Sequence, residues 1–526
     1  MKNYFKYMAI LALGIVSCEP ELENSIEDGD FYTRGEADFS NYVALGNSLT
    51  SGYADGALYL SGQQNSFPSI LAEKFSAVQE TGEFIQPLVN DNAGGLLLGG
   101  NQITQNRFVL AVGANGPSPA RYTGAQPTTE VSNKFAGPVN NMGVPGAKSY
   151  HLLAENYGSV AGVAAGTANP YFARFSSSES ATVLQDALAQ EPTFFTLWIG
   201  NNDVLSYATS GGSGEYQLNN FDPRTYGEND ITDPTVFAML YRQMAEALAQ
   251  NADGVLVNIP NVASVPYFTT VPFAPLNPAD EDFGPQIPTL NATFAPLNQA
   301  FAFLGVPERS VNFATDAASP VLIKDESLTD ISTQLTEVLI GGGIDPATAT
   351  LYGMQYGQSR QATAEDLLVL TSAGVIGSVN QQRVQELIGL GLDQQTAGQL
   401  SVNGVTYPME DQFVLTDSEQ GFVESATTAY NIAISQIAET NGLGYVDANA
   451  LLNQLDNGGI SFDGGSVNSD FVTGGAFSLD GVHLTPRGYA IIANAIIDEI
   501  NATYGSNVPK ANVGSYGTVT LSQDVQ

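Results

Sequence analysis

Cysteine, histidine, tryptophan and basic side chains are all scarce in this chain. Its 526 residues include one Cys, two His, one Trp and only 17 Lys and Arg, against 54 Asp and Glu. A single cysteine excludes a disulfide within the protein, so stability must come from packing alone. The formal charge of −37 leaves no basic patch to neutralise phosphates, which speaks against nucleic-acid binding and suits a protein kept soluble in a salty or extracellular setting. The apolar run at residues 8–16 is too short for a transmembrane helix. The glycine-rich run at residues 94–100 lacks the lysine and spacing of a P-loop, which leaves nucleotide binding without a motif. What is present, 43% apolar and 10% aromatic residues, argues against global disorder. The length allows two or three average domains, or one large α/β domain with insertions.

The N-terminus reads as a targeting segment. Lys2 and Lys6 flank the start, and the apolar run ends in Ile15-Val16-Ser17-Cys18. That ending resembles the lipobox of bacterial lipoproteins, in which cleavage leaves the cysteine as the first residue and it is acylated. Residues 1–18 are therefore expected to be signal peptide and lipobox, with Cys18 the lipidation site. Residues 19–39, acidic and polar, read as a flexible tether. An acidic tract just behind the cysteine also resembles the surface-export signals of some bacterial lipoproteins. The expected location is the outer membrane, on its periplasmic side or at the cell surface.

One of the two histidines, His483, follows Asp480 by three residues in Ser478-Leu479-Asp480-Gly481-Val482-His483. An Asp-x-x-His pair invites a search for a nucleophile. The β-prone run 42–45 leads directly into Gly46-Asn47-Ser48-Leu49, placing Ser48 just past a buried strand, where open α/β sheets hold their ligands. Asn141-Met142-Gly143-Val144-Pro145-Gly146 offers a loop whose glycine N–H can face a ligand, and the apolar run 193–199 enters Gly200-Asn201-Asn202-Asp203. Together these four segments resemble the blocks of the SGNH, or GDSL-like, hydrolase superfamily. The resemblance implies that Ser48 is the nucleophile, Asp480 and His483 the acid and base, and Ser48, Gly146 and Asn202 the oxyanion-hole donors. It departs at one place: the family usually writes Gly-Asp-Ser-Leu, and Asn47 stands where that aspartate would be, a change the chemistry is expected to survive.

The residue types suit the chemistry. A serine hydroxyl becomes a good nucleophile when an imidazole takes its proton, and a carboxylate on the other ring nitrogen holds the correct tautomer. Donors fixed in advance stabilise the oxyanion. No metal or cofactor is required. The expected activity is cleavage of carboxyl esters, as an esterase or lipase. The alternatives are a carbohydrate O-acetylesterase and, in another class, a surface lipoprotein that binds glycan or lipid without catalysis. Expected partners are a small-molecule, lipid or acylated-carbohydrate ester and the membrane, through the lipid; the chain is expected to be a monomer.

The resemblance implies a three-layer α/β/α fold of flavodoxin-like type with a parallel sheet, and residues 40–268 and 419–508 are assigned to it. Strands are expected at 42–45, 193–199, 254–260 and 443–447, and helices at 67–75, 150–157, 181–190, 234–251, 419–441 and 486–503. Residues 80–140 read as a long loop or β-excursion. Residues 269–418 form a large, mainly helical insertion or cap that would shape the substrate pocket, and 509–526 a C-terminal tail. Within the cap, residues 339–345 echo 387–393 and residues 365–371 echo 410–416, a weak duplication too short for a solenoid. His151 reads as a packing or capping residue, Trp198 as core, and Asp203 as a loop anchor.

Overall fold

The structure is a computed structural model and describes residues 31–113 and 116–525. Cys18, the expected signal peptide and the first part of the expected tether lie outside the described residues. Five short strands, β1 (Tyr42–Gly46), β2 (Asn141–Gly143), β3 (Phe194–Trp198), β4 (Asp253–Val257) and β5 (Gly444–Val446), form one sheet in the order 2-1-3-4-5. Every neighbouring pair is parallel. Parallel strands need crossover connections, and helices supply them: α1 (Ser48–Ser51) and α2 (Phe67–Phe75) follow β1, α3 (Asn202–Thr209) and α4 (Pro234–Ala249) follow β3, α5 (Asp417–Asn441) precedes β5, and α6 (Pro486–Tyr504) follows it.

Strand residues are apolar on both faces because helices cover both. Val43, Leu45, Phe195, Leu197 and Leu256 pack under Phe237, Tyr241 and Met244 of α4 and Val423, Tyr430 and Ile434 of α5. Tyr42, Ala44, Phe194, Trp198 and Val255 point the other way, onto Phe67, Ile70 and Phe75 of α2 and Tyr489, Ile496 and Ile500 of α6. The period-2 alternation of each strand sorts its side chains between the two cores. In this strand order the chain reverses direction across β1 and β3, and their carboxyl ends border a crevice.

Between β4 and α5 the chain builds a second apolar cluster of its own, including Leu297, Phe301, Leu335, Leu339, Tyr356 and Val414. Its helices are Ile287–Phe303, Ser332–Gly341, Pro346–Tyr356, Gln381–Gly389 and Gln394–Gln399. The internal echo is structural. Both copies are helical hairpins: Gly343 (φ +92°) and Gly391 (φ +98°) turn the chain, then Asp345 and Asp393 cap the second helix by accepting from Thr348 N at 3.0 Å and Thr396 N at 3.1 Å. The other echoed segments pair with each other, antiparallel, with Leu367 opposite Leu415 and Leu368 opposite Val414.

Four expectations are corrected. The packed chain begins before residue 40, since Ala37 and Phe39 are fully buried and the Phe39 ring stacks on Phe75 at 4.2 Å. Residues 150–157 do not form a helix; one short 3-10 turn, Ser149–Leu153, takes their place because His151 closes its N-terminus with a local hydrogen bond. Asn141–Gly143, expected as a loop, is strand β2. Finally, the expected C-terminal tail is packed over its described part: Leu110 N donates to Thr520 O (2.9 Å) and Ser522 N to Leu110 O (3.2 Å) on the edge of the hairpin Phe108–Gly113 with Gly116–Arg121.

Candidate active site

Ser48 begins α1, two residues beyond β1, and Asn47 caps that helix by accepting from Leu49 N at 3.0 Å. The Asn47 amide also donates to Asn201 Oδ1 at 3.0 Å, which ties the turn after β1 to the turn after β3. His483 and Asp480 arrive on the loop before α6. His483 Nε2 lies 2.9 Å from Ser48 Oγ, and His483 Nδ1 lies 2.9 Å from Asp480 Oδ2. With the carboxylate accepting the Nδ1 proton, Nε2 carries the lone pair that faces the serine hydroxyl. The Tyr53 ring sits 4.7 Å from the imidazole, tilted by 49°.

Asp480 is heavily solvated by the protein. Oδ1 accepts from Val482 N (2.9 Å), His483 N (2.8 Å) and Ser478 Oγ (3.1 Å), and Oδ2 accepts from Gly56 N (2.7 Å) as well as from His483. Burial alone would push this carboxyl up, but the adjacent imidazole and the N–H donors outweigh it and hold it well below the usual carboxylate range. It stays ionised throughout the pH range in which an imidazole titrates.

Gly146 lies three residues past β2 and Asn202 opens α3 past β3, on the two strands that flank β1. Gly146 is exposed and has φ +79°, a left-handed conformation that frees its N–H from the strand ladder. Neither its N–H nor that of Ser48 donates to an acceptor among the described residues. Asn202 Nδ2 donates to Ala147 O at 2.9 Å, which uses one amide proton and leaves the second. Asp203, fully buried, accepts from Ser149 N at 2.8 Å and Ser149 Oγ at 2.6 Å, so α3 grips the Gly146 loop at two points.

The remaining residues singled out in the sequence have structural duties. His151 Nδ1 accepts from Lys148 N at 3.1 Å, and its ring stacks on Tyr157 at 4.6 Å. Burial, with Lys148 nearby, lowers this imidazole to about 4, so it is neutral at physiological pH. Trp198 is buried in the core between the sheet and the helices α2 and α6, and donates to Asn258 O at 3.0 Å. A cleft of about 1750 Å³ opens in the second lobe, lined by residues such as Phe283, Leu290, Tyr352, Met354 and Leu392, but contains none of Ser48, Gly146, Asn202, Asp480 or His483. Size alone would draw attention there; the hydrogen-bonded chemistry is at the sheet edge.

Sequence reasoning missed the donors to Asp480 that come from outside its own loop, Gly56 N and, through Ser478, the Asp55 backbone. The Asp-Gly pair in Ala54-Asp55-Gly56-Ala57 is a turn signal, but nothing in it points to position 480. This chain matches no family model, no curated protein and no solved structure in the three comparisons made, so the reading of its site rests on the geometry described above.

Proposed function

We propose that the chain is a serine hydrolase of the SGNH, or GDSL-like, type that cleaves carboxyl esters through an acyl-enzyme. The observation that carries this reading is the continuous hydrogen-bonded chain from Ser48 through His483 to Asp480, at 2.9 Å for each link. Three residues separated by as many as 435 positions meet in the order that serine activation needs. In the proposed reaction His483 Nε2 takes the Ser48 proton as Oγ attacks the ester carbonyl carbon. The carbonyl oxygen becomes an oxyanion facing the N–H groups of Ser48 and Gly146 and the free amide proton of Asn202. His483 then returns the proton to the departing alcohol oxygen, and water repeats the sequence to release the acid. Asp480, held ionised, keeps the imidazole tautomer and stabilises the imidazolium without itself taking the proton.

The lipid anchor at Cys18 and the outer-membrane location belong to the same proposal; their support is the lone cysteine closing an apolar N-terminal run. No helix among the described residues is long and apolar enough to cross a membrane.

The test is hydrolysis of p-nitrophenyl esters from acetate to palmitate by the purified chain beside Ser48→Ala. Turnover is expected in the parent and should fall to background in the variant, and the preferred acyl length separates acetylesterase from lipase. Equal turnover by both proteins would sink the serine mechanism.

A further inference from the structure

Behind the Asp480 loop lies a buried ion pair that the proposed mechanism does not use. Asp55 and Gly56 are the two central residues of a tight turn: both have positive φ (+53° and +69°), and Ala57 N bonds to Ala54 O (3.1 Å) and Ala54 N to Ala57 O (3.2 Å). The tip of such a turn offers two backbone N–H groups and, here, the Asp55 side chain. All of them meet the loop that carries Asp480 and His483. Gly56 N donates to Asp480 Oδ2 at 2.7 Å, the same oxygen that accepts the hydrogen bond from His483 Nδ1. Asp55 N donates to Ser478 Oγ at 2.9 Å, which in turn donates a hydrogen bond to Asp480 Oδ1 at 3.1 Å. Asp55 Oδ1 accepts from Leu479 N at 2.9 Å.

The turn is itself clamped. Asp55 Oδ2 accepts from an Arg107 guanidinium nitrogen at 2.6 Å and from Tyr59 OH at 3.0 Å. The same Arg107 nitrogen donates to Thr520 Oγ1 at 2.8 Å, and the guanidinium lies 3.6 Å over the Tyr59 ring. The Arg107 and Asp55 side chains are only 2% and 4% exposed. Burying such a pair is costly, and apolar residues of similar volume usually stabilise a fold as well or better. What apolar side chains could not supply is a fixed charge and directional hydrogen bonds behind the carboxylate.

We infer that Asp55 and Arg107 are positioning residues: their ion pair sets the Ala54–Ala57 turn so that it fixes the orientation of the Asp480 carboxylate against His483. This inference rests on the serine-hydrolase reading. It implies that the turn leaving the nucleophile's own helix aligns the acid, which ties Ser48 and Asp480 to one rigid unit although they are far apart in the chain.

The experiment compares Asp55→Asn, Arg107→Met and the double variant with the parent and Ser48→Ala, reading kcat and KM on the best p-nitrophenyl ester, Tm, and the low-field Nδ1–H proton resonance of His483. That resonance is easily assigned in a chain with two histidines. Each single variant is expected to lose about 100-fold in kcat with KM little changed, the size expected when a reacting group is misplaced by about 1 Å. The single variants should also lower Tm by leaving a buried charge unpaired. In the double variant both charges are gone, so Tm should recover while kcat stays low and the resonance stays displaced. Recovery of kcat together with Tm would overturn the inference and leave the pair a purely structural feature. If the parent shows no Ser48-dependent turnover, the hydrolase reading fails by itself. The resonance then still decides: displacement in the variants supports the positioning of carboxylate and imidazole, and an unchanged signal overturns it.

Discussion

Asn202 has two duties on one amide in the proposed reaction: a bond to the Ala147 carbonyl that shapes the Gly146 loop, seen at 2.9 Å, and a second proton that the proposal assigns to the developing oxyanion. Replacing it by Ala is expected to lower kcat by about 100- to 1000-fold, the usual effect of removing one side-chain donor from an oxyanion hole. Steady-state kinetics on the preferred ester checks this, and a rise in KM with kcat intact would remove Asn202 from that role. Residues of this kind were legible in the sequence because Ser48 and Asn202 each follow a short apolar run, Gly146 closes a glycine loop that matches a block of the resembled family, and Asp480 and His483 share one loop. Asp55 and Arg107 were not. Asp55 is 424 positions from Leu479 and 52 from Arg107, and no local pattern of residue types records such a pairing.

Among the strands of the central sheet, β2 is the one the sequence concealed. A three-residue strand reading Asn-Met-Gly has little β-propensity, and its burial depends on side-chain bonds made elsewhere: Asn141 Nδ2 donates to Thr50 O and to Gln86 Oε1, each at 3.0 Å. Gly143 shows why that strand ends in glycine. A Cβ there would lie 2.3 Å from Ser51 N and 2.7 Å from Ser51 Cα, inside the backbone of α1. Gly143→Ala must push α1 away from the sheet, and α1 carries Ser48. The expected result is a stability loss of about 1–3 kcal/mol, typical of overpacking, with a parallel fall in kcat. Denaturant unfolding and ester kinetics read the two effects, and a variant unchanged in both would show that α1 does not bear on β2. Longer elements were plain from periodicity: α4 and α6 each present an apolar stripe, and Pro at the start of α6 follows a capping Thr485 that accepts from Gly488 N at 3.1 Å.

For the molecule as a whole, the join between the second lobe and the sheet is a set of crowded acids. Carboxylate oxygens of Glu326, Asp411 and Glu419 lie within 4.8 Å of one another, and the Gly211-Gly212 turn after α3 presses against Asp411 and Glu419. Lys324, which contacts Glu326, is the cation beside them, and Asp325 adds another negative charge. Burial first, and then repulsion from Glu326 and Asp325, pushes Glu419 up to about 7; Asp411 is raised as well, by burial and then by repulsion from Glu326 and Glu419. A carboxyl with its folded-state pKa raised binds more protons folded than unfolded. Its stabilising contribution is complete below the ordinary carboxylate range and is lost as pH rises through about 7. Glu419→Gln removes the charge and keeps the capping bond from Thr416 N. Between about pH 5 and about pH 8 the parent Tm should fall more steeply than that of the variant, with the variant the more stable at the alkaline end. Parallel Tm curves would mean that Glu419 is already ionised in the folded protein.

The sequence by itself determined the α/β character and most of the strands and helices, and through its resemblance to a known family it nominated the five residues proposed for the reaction. Those are properties of local pattern: apolar period, turn residues and short motifs whose spacing the backbone geometry constrains. Only the tertiary structure decided the strand order, the 2.9 Å contacts that join Ser48 to His483 and His483 to Asp480, and the pairing of the two echoed segments with each other. It alone also placed the Asp55–Arg107 pair behind the acid. Contacts across hundreds of residues are chosen by packing and by the satisfaction of buried polar groups, and neither leaves a mark on the neighbouring letters of the chain.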